Sequence, residues 1–380
     1  MSTLRLVATE AEVSIATASR VLNSRGAVSE DARQRVLEAA NRLGYSGARR
    51  PATEYIALAY TGRTSVDSPY DMAILDGMFS AAAELGRFDI ALIRLQSERK
   101  SNEPYSQMLQ RKGVCGAVLR TNADTRSICH ELADEGFPSL VVGDCFENGP
   151  VSYMCCDSRS TSYAAVEHLI ELGHRRIAIA VSHILDHDHA DRLAGYEQAL
   201  RDHQIEIDPR LVHRVWAMRP NGAQLIRQLM SMPARPTAIF IADPMIAIGA
   251  INQAHALGLK IPQDVSIIGF DDADARKNIY PVMSAICQDS RQLGYEAMMS
   301  VAESISNDQK KPIQKVWPTW LEFHETVGPP PAEPIGVLPD GTRMRMSGQV
   351  QAPNPGSEEP ANSAGEQSEN RAQAAHASST

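Results

Sequence analysis

Between Val13 and Asn23 the chain carries Ser14, Thr17, Ser19, Arg20 and Asn23 on one side of a run whose apolar members, Ile15, Ala18, Val21 and Leu22, recur at helical spacing. Hydroxyls and a side-chain amide donate to phosphate oxygens, and an arginine presents the paired donors that match the O6 and N7 edge of guanine. This is the chemistry of a short helix that reads double-stranded DNA. A second constellation interleaves His183, His187 and His189 with Asp186, Asp188 and Asp191. It lacks a ligand pair one helical turn apart followed by a distant third ligand, so it reads as a solvated loop or the rim of a cleft rather than a metal centre. Catalytic signatures are missing: no G-x-S-x-G, G-x-x-x-x-G-K-[ST], G-x-G-x-x-G after a strand, or H-E-x-x-H occurs. The chain is therefore not expected to be an enzyme, and no cofactor is expected.

The elements that position the first constellation are legible. Residues 4 to 45 read as three short helices: Leu4, Val7 and Ala8 share a face of the first, and Val36, Leu37, Ala40 and Leu43 line the third. Ser14 is placed to cap the second helix. Ser29, followed by Glu30 and Asp31, is placed to cap the third, with acids at the positive end of its dipole.

From residue 55 to 328 short apolar runs alternate with helical stretches. Tyr55 to Tyr60, Asp89 to Leu95, Val114 to Leu119, Ser139 to Val142, Ile177 to Val181, Ala238 to Ala242 and Val265 to Ile268 read as strands buried on both faces. The helices expected between the first of them lie near 70–86 and 102–112. The pattern predicts an α/β body with parallel sheets, long enough for two lobes, with the ligand cleft beyond the carboxyl ends of the strands. Residues 329–380 contain no aromatic side chain and are rich in Pro, Gly, Ser, Glu, Ala and Gln, the composition of a disordered tail.

Composition agrees with an ordinary soluble globular chain, long enough for two or three domains: 380 residues, 43% hydrophobic and 22% charged. The longest apolar runs are a strand's length, against roughly 20 residues for a bilayer span. No secretory leader is visible, and six cysteines without C-x-x-C or regular spacing indicate neither a disulfide framework nor a zinc cage, so a reducing cytoplasm is the expected home. Charge is unevenly shared. The first 50 residues hold eight arginines against five acids, while the remainder holds 29 basic and 41 acidic side chains, a small basic head on an acidic body.

Val13 to Asn23, Val28-Ser29, Arg35-Val36 and Leu43-Gly-Tyr45 resemble the DNA-binding headpiece of the lactose-repressor (LacI/GalR) family of transcriptional regulators. The resemblance continues through Ala165 to Ala178, Arg192 to Tyr196, Pro236 to Phe240, Gly258 to Asp272 and Glu325 to Pro329, in family order. It implies a helix-turn-helix headpiece over residues 1–46, a hinge over 47–54, a two-lobed periplasmic-binding-protein-like core over 55–328 that binds an effector and dimerises, and a tail outside the family pattern. It implies a homodimer on operator DNA, most often a repressor, with a small molecule such as a sugar bound between the lobes. Carried over by position, Ile15, Ala16 and Arg20 face base edges, and Ser14, Thr17, Ser19, Asn23 and Ser29 hold phosphates. Arg192, Asp271 and Asp243 match effector contacts, a trio of donor fork and acceptors suited to a polyol. Tyr70 matches an aromatic that stacks on ligand, and Trp216 lies one residue from another such position.

Several departures from the family are informative. Glu12 stands at the turn position usually taken by Gly, where φ > 0 would cost about 1 kcal/mol. The stretch from Ser46 to Tyr55 is too short for the usual hinge helix and lacks its wedge leucine; Arg49 and Arg50 there make a basic arm for a narrow minor groove or the backbone. Gly143 replaces a frequent acid, with Asp144 one residue on, and Pro244 replaces a common Asp. Two other readings remain open at this point: a regulator that needs a purine or other metabolite as corepressor, and a solute-binding module with impaired DNA reading.

Overall fold

The structure is a computed structural model; it describes residues 4–22, 28–43, 54–62, 68–100, 102–147, 149–184, 186–271, 274–307, 311–333, 335–337 and 343–345. Three helices come first, α1 (Leu4–Glu10), α2 (Ile15–Leu22) and α3 (Glu30–Arg42). Val7, Ala8, Ala11, Ala18, Val21, Leu22, Val36, Ala39 and Ala40 form their common core. The small side chains let three short helices approach closely. Leu37 does not line α3 as its apolar character suggests: it is 46% exposed, and Ala39 takes the inward position because Val36, Ala39, Ala40 and Leu43 keep the three-and-four spacing.

The turn between α1 and α2 explains the oddity at Glu12. Val13 N–H donates to the Ala8 carbonyl and Glu12 N–H to the Thr9 carbonyl, the paired bonds of a Schellman cap, and Glu12 sits at the left-handed position with φ 52°. A Cβ is disfavoured there. Glu12→Gly is expected to stabilise the headpiece by about 1 kcal/mol, read as a higher thermal midpoint of the isolated transition of residues 4–43; an unchanged or lower midpoint would show that the strain is already relieved.

The first lobe begins β1 (Glu54–Tyr60), α4 (Pro69–Leu85), β2 (Phe88–Arg94), α5 (Leu95–Glu98), α6 (Tyr105–Arg111), β3 (Val114–Arg120), α7 (Arg126–Asp134), β4 (Ser139–Val142) and β5 (Tyr153–Cys156). The second holds α8 (Ser158–Glu171), β6 (Ile177–Ser182), α9 (His187–Asp202), β7 (Val212–Val215), α10 (Arg219–Met230), β8 (Ala238–Ile241), α11 (Pro244–Ala256), β9 (Ser266–Asp271) and β10 (Ser284–Cys287). Then α12 (Ser290–Asn307) returns to pack on α4, β11 (Gln314–Trp317) completes the first sheet, and β12 (Trp320–Glu322) the second. Strand order is β11-β5-β4-β3-β1-β2 in one sheet and β12-β10-β9-β8-β6-β7 in the other. All pairs are parallel except β10 with β12. The chain thus passes between lobes three times, after β5, after β10 and after β11.

Central strands β6 and β8 are buried along their whole length, which is why they read as continuous apolar runs. The α4–α12 packing needs glycine: a Cβ on Gly77 would lie 1.9 Å from the Arg291 carbonyl oxygen. Among the described residues no helix is long and apolar enough to cross a membrane.

Two sequence expectations change. Cys145, in the loop after β4, is disulfide-bonded to Cys155 in β5, with Cα atoms 6.0 Å apart. Nothing in the spacing marks this pair; the parallel β4–β5 pairing brings them together, while Cys115, Cys129, Cys156 and Cys287 take no part in this disulfide. Closing so short a loop is expected to contribute about 3 kcal/mol. Reductant should lower the denaturation midpoint of the first lobe accordingly, and an unchanged midpoint in the fully reduced protein would refute a stabilising role. Second, the stretch expected to be a disordered tail contains a small antiparallel hairpin of β13 (Ile335–Val337) and β14 (Arg343–Arg345); residues 346–380 lie outside the described residues.

Candidate DNA-binding face and effector cleft

On the headpiece, Ser14 closes the first turn of α2: its hydroxyl accepts from the Thr17 amide at 3.0 Å and lies 2.8 Å from the Thr17 hydroxyl. Ser29 caps α3 through the Ala32 amide at 3.4 Å. Helix α2 turns Ala18, Val21 and Leu22 inward, which leaves Ile15, Ala16 and Arg20 exposed and Thr17 and Ser19 half-buried. An exposed Ile15, 45% accessible beside Arg20, is not what core packing alone selects. Asn23, Arg49 and Arg50 lie outside the described residues.

In the core, polar residues gather just beyond the carboxyl ends of both sheets. On the first lobe, Tyr70 lies against the Arg120 guanidinium, 4.5 Å from ring centroid to Cζ. Arg120 Nε donates to Asp71 Oδ1 at 2.8 Å and Nη1 to the Val142 carbonyl at 2.9 Å. Gly143 has φ +76°, and a Cβ there would lie 2.6 Å from Arg120 Nη1 and 2.8 Å from the Tyr70 hydroxyl. Arg120 and Tyr70 thus occupy the space that any side chain at 143 would need. Next to it Asp144 is buried; Arg126 Nη1 donates to its Oδ1 at 2.9 Å, and Arg126 Nη2 binds the Cys145 carbonyl. Burial pushes the Asp144 carboxyl up to about 6 despite Arg126.

On the second lobe, Asp186 caps α9, its Oδ1 accepting from the His189 amide at 2.9 Å and lying 2.8 Å from His189 Nδ1. Burial opposes its charge, but His189 and Arg120 hold it well below the usual carboxylate range. Asp188 is the opposite case: burial, with Asp186 adding to it, pushes its carboxyl up although Arg192 is near. Arg192 stacks on Phe270 with its Cζ 3.4 Å from the ring centroid, donates from Nη1 to the Ala242 carbonyl at 2.8 Å, and reaches Asp188 Oδ2 only at 3.9 Å. His187 pairs with Asp191 at 3.2 Å, which raises it. The walls feel each other. Asp144 is acted on by Asp186 and His187 from the opposite lobe, and Arg120 by Asp186.

The four effector positions suggested by resemblance all lie at these strand ends, but each also has a scaffold task. Asp243 caps α11, its Oδ1 accepting from Met245 and Ile246 amides at 2.9 and 3.0 Å. Asp271 is fully held: Oδ2 accepts from Arg276 Nη1 at 2.6 Å, and Oδ1 from the Ala275 amide at 3.0 Å. Trp216 is half exposed, with its ring 4.7 Å from that of His183. Sequence reasoning missed Arg120 and Arg126 and gave Asp188 no role of its own. Their signal was available in part: Arg120 ends the apolar run 114–119, the place where a strand delivers its functional residue.

The comparisons with known proteins agree with this architecture. Residues 3–47 match the model of bacterial regulatory proteins of the lacI family, and residues 166–327 match that of the periplasmic binding protein-like domain. The chain is 28% identical to the HTH-type transcriptional regulator DegA of Bacillus subtilis, over 86% of this chain and 98% of that protein. It is also 28% identical to the ribose operon repressor of Haemophilus influenzae, over 81% and 93%. The lac repressor dimer bound to operator and the anti-inducer ONPF superposes with TM-score 0.70 at 25% identity, covering 86% of this chain and 99% of that one. With a DNA-binding headpiece joined to a periplasmic-binding-protein-like core, the chain belongs to the lacI family of bacterial transcriptional regulators.

Proposed function

We propose that this regulator is a cytoplasmic, homodimeric repressor whose operator affinity changes when a sugar or sugar derivative binds between the lobes. The observation that carries the reading is α2: a capped helix with an apolar inner face and with Ile15, Ala16 and Arg20 each exposed. Arg20 reads a guanine edge, Ile15 and Ala16 touch apolar base edges such as a thymine methyl, and Ser14, Thr17, Ser19, Asn23 and Ser29 hold phosphates. Arg49 and Arg50 follow the groove or the backbone from the short arm. Tyr70, Arg192, Asp243 and Asp271 mark the effector cleft, with Asp271 acting through the loop that it anchors. Dimerisation is supported by Met72 and Phe79, seven residues apart on α4 and 52% and 56% exposed. A sugar is supported by the polar cleft and by the ribose operon repressor and the cellobiose complex of CelR among the similar proteins.

The exposed Trp216–His183 pair favours a second reading, a purine corepressor stacked on that platform; the PurR repressor of Haemophilus influenzae is 28% identical. Fluorescence anisotropy on the DNA upstream of the gene and its neighbours, against scrambled DNA at physiological salt, tests both. Tight preference lost with a sugar supports the inducible repressor, and preference gained with a nucleobase supports the corepressor. Equal, salt-sensitive binding to both DNAs would overturn the operator reading.

A further inference from the structure

The cleft holds buried polar atoms without a hydrogen-bond partner on both walls: Asp144 Oδ2 on the first, Asp188 Oδ1 and Arg192 Nε on the second. Asp144 and Asp188 are only 1% and 4% exposed, so water does not freely serve those oxygens. A buried acceptor left unpaired costs free energy, and a buried carboxylate without a cation neutralises instead of staying charged. The local cations are already engaged. Arg120 binds Asp71, Arg126 binds the other oxygen of Asp144, and His189 binds Asp186. Arg192 lies 3.9 Å from Asp188 and makes its hydrogen bond to a backbone carbonyl instead. Asp243 accepts from backbone amides alone.

What the cleft lacks is therefore positive charge and donors at one carboxylate oxygen on each wall, together with an acceptor for Arg192 Nε. A neutral hydroxyl donates one hydrogen bond and brings no charge. An ammonium group brings up to three donors and the charge, and a neighbouring hydroxyl oxygen supplies the acceptor. We propose that the effector of this cleft carries a protonated amine beside hydroxyl groups, an amino-substituted sugar or polyol, and that Asp144 and Asp188 are the carboxylates that select it. The inference rests on the cleft being the effector site and narrows the sugar class to its aminated members. The raised carboxyls agree with it: both are groups whose charged form is short of a partner until such a ligand arrives.

The test uses matched pairs, glucose with glucosamine, galactose with galactosamine and mannose with mannosamine, titrated calorimetrically into the full-length protein at pH 7.5. At least one amino member is expected to bind at least tenfold more tightly than its hydroxyl partner. Asp144→Asn and Asp188→Asn, each nearly isosteric with the neutral carboxyl, should fold and abolish that preference. Lowering the pH from 7 to 5 should weaken the amino member about tenfold as Asp144 takes up its proton. The charged and titratable groups facing these carboxylates are Arg126, Asp186 and His187 for Asp144, and Arg192, Asp186, His187, His189 and Arg120 for Asp188. Equal or tighter binding of the hydroxyl members, or an amine preference that survives both substitutions, overturns this selectivity and leaves the sugar reading standing. Binding of nucleobases with no response to any sugar overturns both.

Discussion

Arg20→Ala is expected to abolish discrimination between operator and random DNA while leaving the protein folded. The side chain is exposed in the last turn of α2 and takes no part in the headpiece core, so its loss removes no packing. A bidentate arginine on guanine carries about 1–3 kcal/mol of discrimination, and the proposed dimer brings two of them to a two-fold operator. The combined loss is roughly 2–6 kcal/mol, a 30-fold to 10⁴-fold fall in the ratio of specific to non-specific affinity. Binding to scrambled DNA should fall far less, because the phosphate contacts proposed for Ser14, Thr17 and Ser29 do not involve Arg20. Arg20→Lys separates the fork from the charge: it restores the electrostatics without the paired donors and should recover little discrimination. Competition anisotropy on operator and scrambled duplexes gives the ratio directly. An unchanged ratio in Arg20→Ala would mean that α2 is not the reading helix.

How much of this was legible beforehand differs between the two halves of the molecule. The headpiece follows from local rules, since hydroxyl caps at Ser14 and Ser29 and three-and-four spacing of small apolar side chains are written in adjacent residues. Even its awkward feature, the left-handed turn at Glu12, follows from the position of one residue type. Strands buried on both faces were equally plain, because β8 is wholly apolar and β6 is apolar up to its last residue, Ser182. The cleft was only half legible. Asp243 and Asp271 do stand at a helix start and a strand end, and Arg192 in the second turn of α9, but sequence position says nothing of which partner takes a side chain first. Asp271 belongs to Arg276, five residues on and bonded at 2.6 Å, a pairing that depends on the turn after β9. Arg120 filling the space left by Gly143, and Cys145 meeting Cys155, depend on contacts between β3, β4 and β5 that no local pattern encodes.

That distinction decides what substituting Arg192 does. As a ligand contact on an open surface, its truncation would erase the effector response and little else. The structure places it at 4% exposure, stacked on Phe270 and beside an equally buried Asp188, so Arg192→Ala also strands a carboxyl and opens a void beneath the ring. Losing the ring contact, the bond to the Ala242 carbonyl and the 3.9 Å approach to Asp188 together costs about 3 kcal/mol. At roughly 2–4 °C per kcal/mol for a lobe of this size, the thermal midpoint of the second lobe should drop by about 10 °C. The effector-induced thermal shift should vanish with it, whereas ligand-free operator binding, which resides in the headpiece, should persist at temperatures where the core is folded. The double variant Arg192→Met with Asp188→Asn separates the two losses. Removing both partners for uncharged side chains of similar size should restore most of the midpoint, because the uncompensated carboxyl is gone and methionine still covers Phe270. The effector shift should stay absent. A midpoint for Arg192→Ala within 2 °C of the parent would mean that water reaches Asp188 and the wall is open. A persisting effector shift in the restored double variant would place the ligand somewhere other than between these walls.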